Sequence, residues 1–233
     1  MQDLAAERAF YDELFARNPE NEHITQGYDE LHDVAFAGAP EGRVLDLGCG
    51  TGAHAVRIAQ RGHPVVAVDL TIGGVRSARE RFRRAHLSGG RFLVADAERL
   101  PFRDGAFALT WTSLLLHHFL KLDRLPAELS RVTRRRVVAF EPNADNFLTW
   151  FAFNVVNRYW GISGMTRNQK ALRPSDLDRA FRPVGLGRTS VYYVDRGWRD
   201  RMGPVRRLYA TLTKALPLRY RANKFLVVFE PWT

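Results

Sequence analysis

Short, wholly apolar runs alternate along the chain with longer stretches in which apolar residues recur every three or four positions. The runs are Arg43–Leu47, Pro64–Asp69, Arg91–Asp96, Phe107–Thr112 and Arg136–Glu141. Runs rich in Val, Leu and Phe, with no polar alternation, predict strands covered on both faces. Between them the spacing predicts helices at Gly52–Arg61, Val75–Ala85 and Leu125–Val132. This alternation predicts an α/β fold, a doubly wound, mostly parallel sheet with right-handed crossovers. The acids at the first three run ends, Asp46, Asp69 and Asp96, follow one another by 23 and 27 residues, close to a βαβ unit.

Beyond the fifth run the pattern changes. Asn146–Trp160 is apolar almost all round, with Phe147, Trp150, Phe151, Phe153, Tyr159 and Trp160. It is too short, and too interrupted by Asn154, Asn157 and Arg158, to span a bilayer. Pro174–Asp178 reads as a helix start, and Gly185–Gly187 leads into a sixth strand at Thr189–Val194. Trp198–Arg221 is basic and amphipathic: Val205, Leu208, Tyr209, Leu212 and Leu216 share one face, while Arg206, Arg207 and Lys214 lie off it. Lys224–Glu230 reads as a last strand.

Composition narrows the class. Of the 233 residues 45% are hydrophobic and 26% charged, which excludes general disorder. The single cysteine, Cys49, excludes an internal disulfide framework and a Cys-rich zinc site, and no metal is expected. Without an apolar leader or a spanning run, the expectation is a soluble cytoplasmic protein. The net charge of +10 is unevenly placed: residues 1–150 carry 19 basic and 20 acidic side chains, residues 151–233 carry 16 and 5. The last third therefore has its own partner, an anionic membrane surface or a nucleic-acid backbone, or else is a solvated face.

The chemistry concentrates in Asp46-Leu47-Gly48-Cys49-Gly50-Thr51-Gly52. A glycine turn between strand and helix lets backbone approach a ligand closely, and Gly48-x-Gly50-x-x-Ala53 by itself also fits a dinucleotide fingerprint. Asp46 separates the readings. A carboxylate there would repel a pyrophosphate and favour a ligand with positive charge, such as the ammonium and sulfonium of S-adenosylmethionine. Asp69 is placed to accept from ribose hydroxyls, as it is in dinucleotide enzymes, and Asp96 from an adenine amino group. Any one of these acids could be a helix cap or a turn carboxylate; together with the turn they mark a ligand site at one sheet edge.

These residues resemble the class I (Rossmann-like) S-adenosylmethionine-dependent methyltransferases. Val44–Gly52 is similar to their first motif, Val66–Asp69 to the acidic end of the second strand, and Ala95–Phe102 to the adenine segment. Phe107–Phe119, ending Leu116-His117-His118, resembles the small-molecule branch of ubiquinone and menaquinone methyltransferases. The resemblance runs from Arg43 to Asn143 and departs at Thr133–Arg136, where a Lys-Pro-Gly-Gly turn is usual. It implies a seven-stranded sheet with an antiparallel last strand, plus helical cap insertions. It implies S-adenosylmethionine as cofactor and S-adenosylhomocysteine as product, bound by Asp46, Gly48, Cys49, Gly50, Gly52, Asp69, Leu70, Asp96, Ala97 and Thr112. One domain, 1–233, then divides into an N-terminal helical cap (1–40), a cofactor-binding core (41–145), an apolar cap insertion (146–182) and a basic amphipathic insertion (196–222).

Methyl transfer asks mainly for alignment and desolvation, and for a base only if the acceptor must lose a proton. His117, His118 and Glu141 are the candidates, with His117 foremost; a histidine here could equally only pack or shape the pocket. Tyr11 and Tyr28 either close over the methionine end of the cofactor or belong to the core. The aromatic segment suggests a small lipophilic acceptor (quinone, phenol, terpenoid or lipid), met at or near the membrane. The alternatives are an RNA methyltransferase using the basic third, and a cofactor-binding assembly protein without catalysis.

Overall fold

The computed structural model describes residues 4–17, 29–39, 41–162, 164–195, 208 and 211–232. Two helices, α1 (Leu4–Arg17) and α2 (Asp29–Phe36), precede the first strand. The sheet consists of β1 (Val44–Leu47), β2 (Val65–Asp69), β3 (Arg91–Val94), β4 (Phe107–Ser113), β5 (Thr133–Pro142), β6 (Leu186–Val194) and β7 (Lys224–Pro231). Its spatial order is β3-β2-β1-β4-β5-β7-β6, and β7 runs antiparallel to both β5 and β6. The fold is the expected α/β one, and the antiparallel strand is the one expected.

The central strands are apolar on both faces because helices cover both. Leu31 and Ala35 of α2, Ala55 and Ile58 of α3 (Ala53–Gln60) and Ala78 and Phe82 of α4 (Ile72–Arg84) bury one face with Val44, Val65, Leu109, Trp111, Val138 and Phe140. Leu125, Leu129 and Val132 of α5 (Arg124–Val132) bury the other with Leu45, Leu47, Val137 and Phe229. The expectation of two covered faces fails at the edges. All four residues of β3 are at least partly exposed, as are all but the first of β6. β3 also stops at Val94, so Asp96 lies in the turn beyond it, while Asp46 lies inside β1 rather than at its end.

Strand order reverses between β1 and β4, and open α/β sheets hold their ligands in the crevice at such a switch point. Here the glycine turn leaves β1 and enters α3. The segment after β5 forms a helix α6 (Phe147–Phe151) that widens into a π turn at Ala152–Val156 and closes as α7 (Asn157–Tyr159). Asn146 starts it, its Oδ1 accepting from Thr149 N at 2.9 Å. A helix α8 (Pro174–Phe181) then leads to β6. The basic stretch is described only at Leu208 and from Thr211 onward, so Val205, Arg206, Arg207 and Tyr209 lie outside the described residues, as does Tyr28. Its described leucines do not form a buried stripe: Leu212 is 71% exposed, and Leu208 and Leu216 are exposed too.

Candidate active site

The glycine turn is built from positive backbone torsions at Gly48 (φ 73°), Gly50 (φ 47°) and Gly52 (φ 79°), which glycine adopts at little cost. Its amides are mostly committed within the protein. Gly48 N and Cys49 N both donate to Val68 O, at 2.8 and 3.0 Å, and Gly50 N donates to Asp69 Oδ2 at 2.8 Å. A pyrophosphate site needs such amides bare. The turn therefore braces an acid instead of offering itself to a phosphate.

That acid, Asp69, closes β2 and is doubly held: Oδ1 accepts from Thr71 N at 2.9 Å and Thr71 Oγ1 at 2.7 Å. Burial raises its pKa, and these hydrogen bonds pull it back toward the anion. Asp69 lines a cavity of about 580 Å³ with Gly48, Cys49, Gly50, Leu70, Asp96 and Ala97. A carboxylate with one acceptor position left on Oδ2, a glycine wall and a second acid fit a ribose-bearing cofactor without phosphates. Burial pushes the Cys49 thiol well up, so it is an inert part of the wall.

Helix α1 covers the cavity through polar contacts. Glu7 Oε1 accepts from His118 Nδ1 at 2.6 Å and Thr166 Oγ1 at 3.2 Å. Tyr11 Oη accepts from Gln169 Nε2 at 2.6 Å, Asp12 Oδ1 from Gly73 N at 2.8 Å, and Leu70 O from Arg8 Nε at 3.0 Å. Burial, helped by Glu7, raises the Tyr11 phenol, which stays neutral.

On the far side of the glycine turn, Glu141 organises the loop after β4. Its Oε1 accepts from Leu115 N (3.0 Å) and Leu116 N (2.7 Å), and its Oε2 pairs with His117 Nδ1 at 2.7 Å. Both side chains are buried. With Nδ1–H donating to the carboxylate, the His117 lone pair resides on Nε2. Burial and the neighbouring His118 lower the His117 pKa and Glu141 partly restores it, so the ring is neutral at pH 7. His117 lines the cavity, with Phe153 packed edge-on against it at 5.8 Å.

Of the expected site residues, Gly48, Cys49, Gly50, Asp69, Leu70, Asp96, Ala97, His117 and His118 line this one cavity. Four do not. Asp46, 1% exposed, lies behind the turn on the α3 side of the sheet, outside the cavity lining. Burial, then the charge of Asp69, pushes its pKa up to about 7. Gly52 serves packing instead: a Cβ there would meet Ala78 Cα at 2.6 Å. Thr112 is fully buried and spends its hydroxyl on Val138 O at 3.1 Å. Glu141 is fully buried and meets the cavity lining through His117 and Leu115. Tyr11 lines the cavity, as do His54, Ser113, Gln169 and Lys224, which were not anticipated. His54 follows the last turn glycine by two residues and Lys224 opens β7, the two local signals that pointed there.

Residues 44–136 match the family model of a methyltransferase domain. The demethylmenaquinone methyltransferase of Beutenbergia cavernae is 31% identical over 220 residues, covering 88% of this chain and 84% of that one. The chain belongs to the class I S-adenosylmethionine-dependent methyltransferases. Membership of that family implies S-adenosylmethionine as the methyl donor and S-adenosylhomocysteine as the product. A malonyl-[acyl-carrier protein] O-methyltransferase of Geobacter sulfurreducens is 41% identical over 108 residues, 45% of this chain. The methyltransferase spans only 39% of that relative and 53% of the corresponding Pectobacterium atrosepticum enzyme. Among solved structures, magnesium protoporphyrin IX methyltransferase from Synechocystis PCC 6803 superposes with a TM-score of 0.71 at 14% identity, covering 99% of this chain and all of that one. The [4+2]-cyclase SpnF superposes at 0.62 with 21% identity, covering 99% of this chain and 93% of its own, so the fold by itself does not dictate the reaction.

Proposed function

We propose that this methyltransferase alkylates a small lipophilic acceptor at a hydroxyl or enol, with His117 as the base, and that it meets the acceptor at a membrane surface. The observation that carries the reading is the buried Glu141–His117 pair opening onto a largely apolar wall. The cofactor supplies a methyl group on a sulfonium, which becomes an uncharged thioether as the methyl leaves. The chain's own work is to bind, orient and exclude water. Asp69 would accept from a ribose hydroxyl through Oδ2, Asp96 would hold the adenine end, and Gly48–Gly50 would allow the close approach. His117 Nε2 takes the acceptor proton while the acceptor oxygen bonds the methyl carbon. Glu141 fixes the tautomer and shares the charge of the imidazolium.

The aromatic segment supports the lipophilic part. Thr149 and Phe153 line the cavity from inside, while Phe147, Trp150, Phe151, Tyr159 and Trp160 stand exposed outside, up to 72%. Asn143 and Asn146 tie its start to Arg219 O and Arg221 O, so a second exposed apolar stretch, Leu212–Leu218, and its basic neighbours adjoin it. An aromatic and leucine face edged with arginines suits an anionic bilayer. Tritiated S-adenosylmethionine incubated with total lipid and total RNA extracts tests the reading: label enters the organic phase, and His117→Ala stops it. Label in RNA overturns it.

A further inference from the structure

The α3 side of the cavity carries polar groups outside the ribose, adenine and base positions described above. His54 is 6% exposed; its Nδ1 lies 3.0 Å from His32 Nε2, and its Nε2 meets no partner. The buried hydroxyl of Ser113 also meets none. Buried polar atoms are almost always satisfied, so two orphans on one wall call for a ligand. Lys224 lines the same cavity. The three converge through their neighbours. Ser113 pairs with Phe140 across β4 and β5, Lys224 Nζ lies 5.3 Å from the Phe140 ring centre, and the His54 ring lies 5.2 Å from Trp111, two residues before Ser113. Lys224 is close enough for its charge to disfavour a proton on His54.

We propose that His54, Ser113 and Lys224 form a subsite for a carboxylate carried by the acceptor, which makes the substrate class a lipophilic acid. The inference rests on the reading of a small lipophilic acceptor and narrows it. An ammonium, a hydroxyl and an imidazole N–H are all donors, and a carboxylate has the lone pairs to take all three. His54 supplies its donor when His32 Nε2–H donates to its Nδ1, leaving the proton on Nε2. At its Lys224 end the subsite stands apart from the ribose and adenine acids. Lys224 stands on β7, three strands and about 14 Å across the sheet from β1, whereas Asp69 and Asp96 lie on the opposite side of β1.

Calorimetry on the full chain loaded with S-adenosylhomocysteine tests this with 2-naphthoate and the neutral 2-naphthalenemethanol. Naphthoate binds about tenfold more tightly, as a charge-assisted contact is worth. Lys224→Met removes that preference, and Ser113→Ala, a smaller change that keeps the fold, lowers it about threefold. Both variants keep their affinity for S-adenosylhomocysteine within twofold. Equal binding of the two probes, or a preference that survives Lys224→Met, overturns the subsite and leaves the lipophilic reading intact. Binding of neither probe overturns both. A tenfold loss of S-adenosylhomocysteine affinity in either variant assigns the groups to the cofactor and also overturns the subsite.

Discussion

His117 and Asp46 show how burial divides ionisable residues by their partners. His117 is buried against an anion, so its ring stays neutral yet can accept a proton. His117→Ala should lower kcat by about a hundredfold or more while leaving cofactor affinity within about twofold. The wild-type kcat should fall on the acid side below the ordinary imidazole value of 6.5 and be flat above pH 7. Glu141→Gln should move that fall further down, because the anion that favours imidazolium is gone; an unmoved profile would reduce Glu141 to a structural clamp. Asp46 has no such partner: its Oδ2 is unsatisfied and its pKa rises from 3.8 to about 7. A folded-state pKa above the unfolded value means that stability is lost as pH climbs from about 4 to 7. Asp46→Asn should therefore stabilise the ligand-free protein by on the order of 2–3 kcal/mol more at pH 8 than at pH 5, read from urea midpoints. A gain independent of pH would show that Asp46 is not a buried, reluctantly ionised carboxyl. Asp69 was legible in the sequence because it ends a strand. Glu141 was legible only as an acid near the site, since its side of the sheet depends on register.

Among the elements, the glycine turn and α3 are set by packing as much as by ligand. Gly52 has a left-handed torsion and lies where a side chain would strike the backbone of α4. Gly52→Ala should destabilise by about 3 kcal/mol, combining strained φ with overpacking. Gly62→Ala, with φ 84° and open space around it, should cost only about 1 kcal/mol; equal losses at the two sites would remove the packing argument. Strands and helices of the core were legible because the apolar period is short-range. The start of β5 at Thr133 was not, since Arg134 and Arg135 are exposed at a strand end and carry no apolar signal. Nor was the cover of the cavity by α1. Glu7 meets His118 across 111 residues, a contact with no local pattern to announce it.

At the scale of the whole molecule, the charge asymmetry of the sequence sets the last third apart from the first two. The described end of the basic stretch, at Arg219 and Arg221, is tied through Asn143 and Asn146 to the start of the segment that carries the exposed aromatics. Sedimentation with anionic vesicles should carry the protein down at low salt and release it as salt rises, with neutral vesicles retaining less. Replacing Tyr159 and Trp160 with Ser should weaken retention severalfold without changing cofactor binding, and undiminished retention would contradict the docking face. The central claim is that Asp69, braced by turn amides no longer open to phosphate, selects a ribose-bearing donor without a pyrophosphate. Calorimetric titration of the wild-type protein with S-adenosylhomocysteine and with NADH tests it most directly. S-adenosylhomocysteine should bind at one site and lose about a hundredfold in affinity in Asp69→Ala, with NADH giving no heat. Saturable NADH binding that Asp69→Ala abolishes, with S-adenosylhomocysteine refused, would contradict the account.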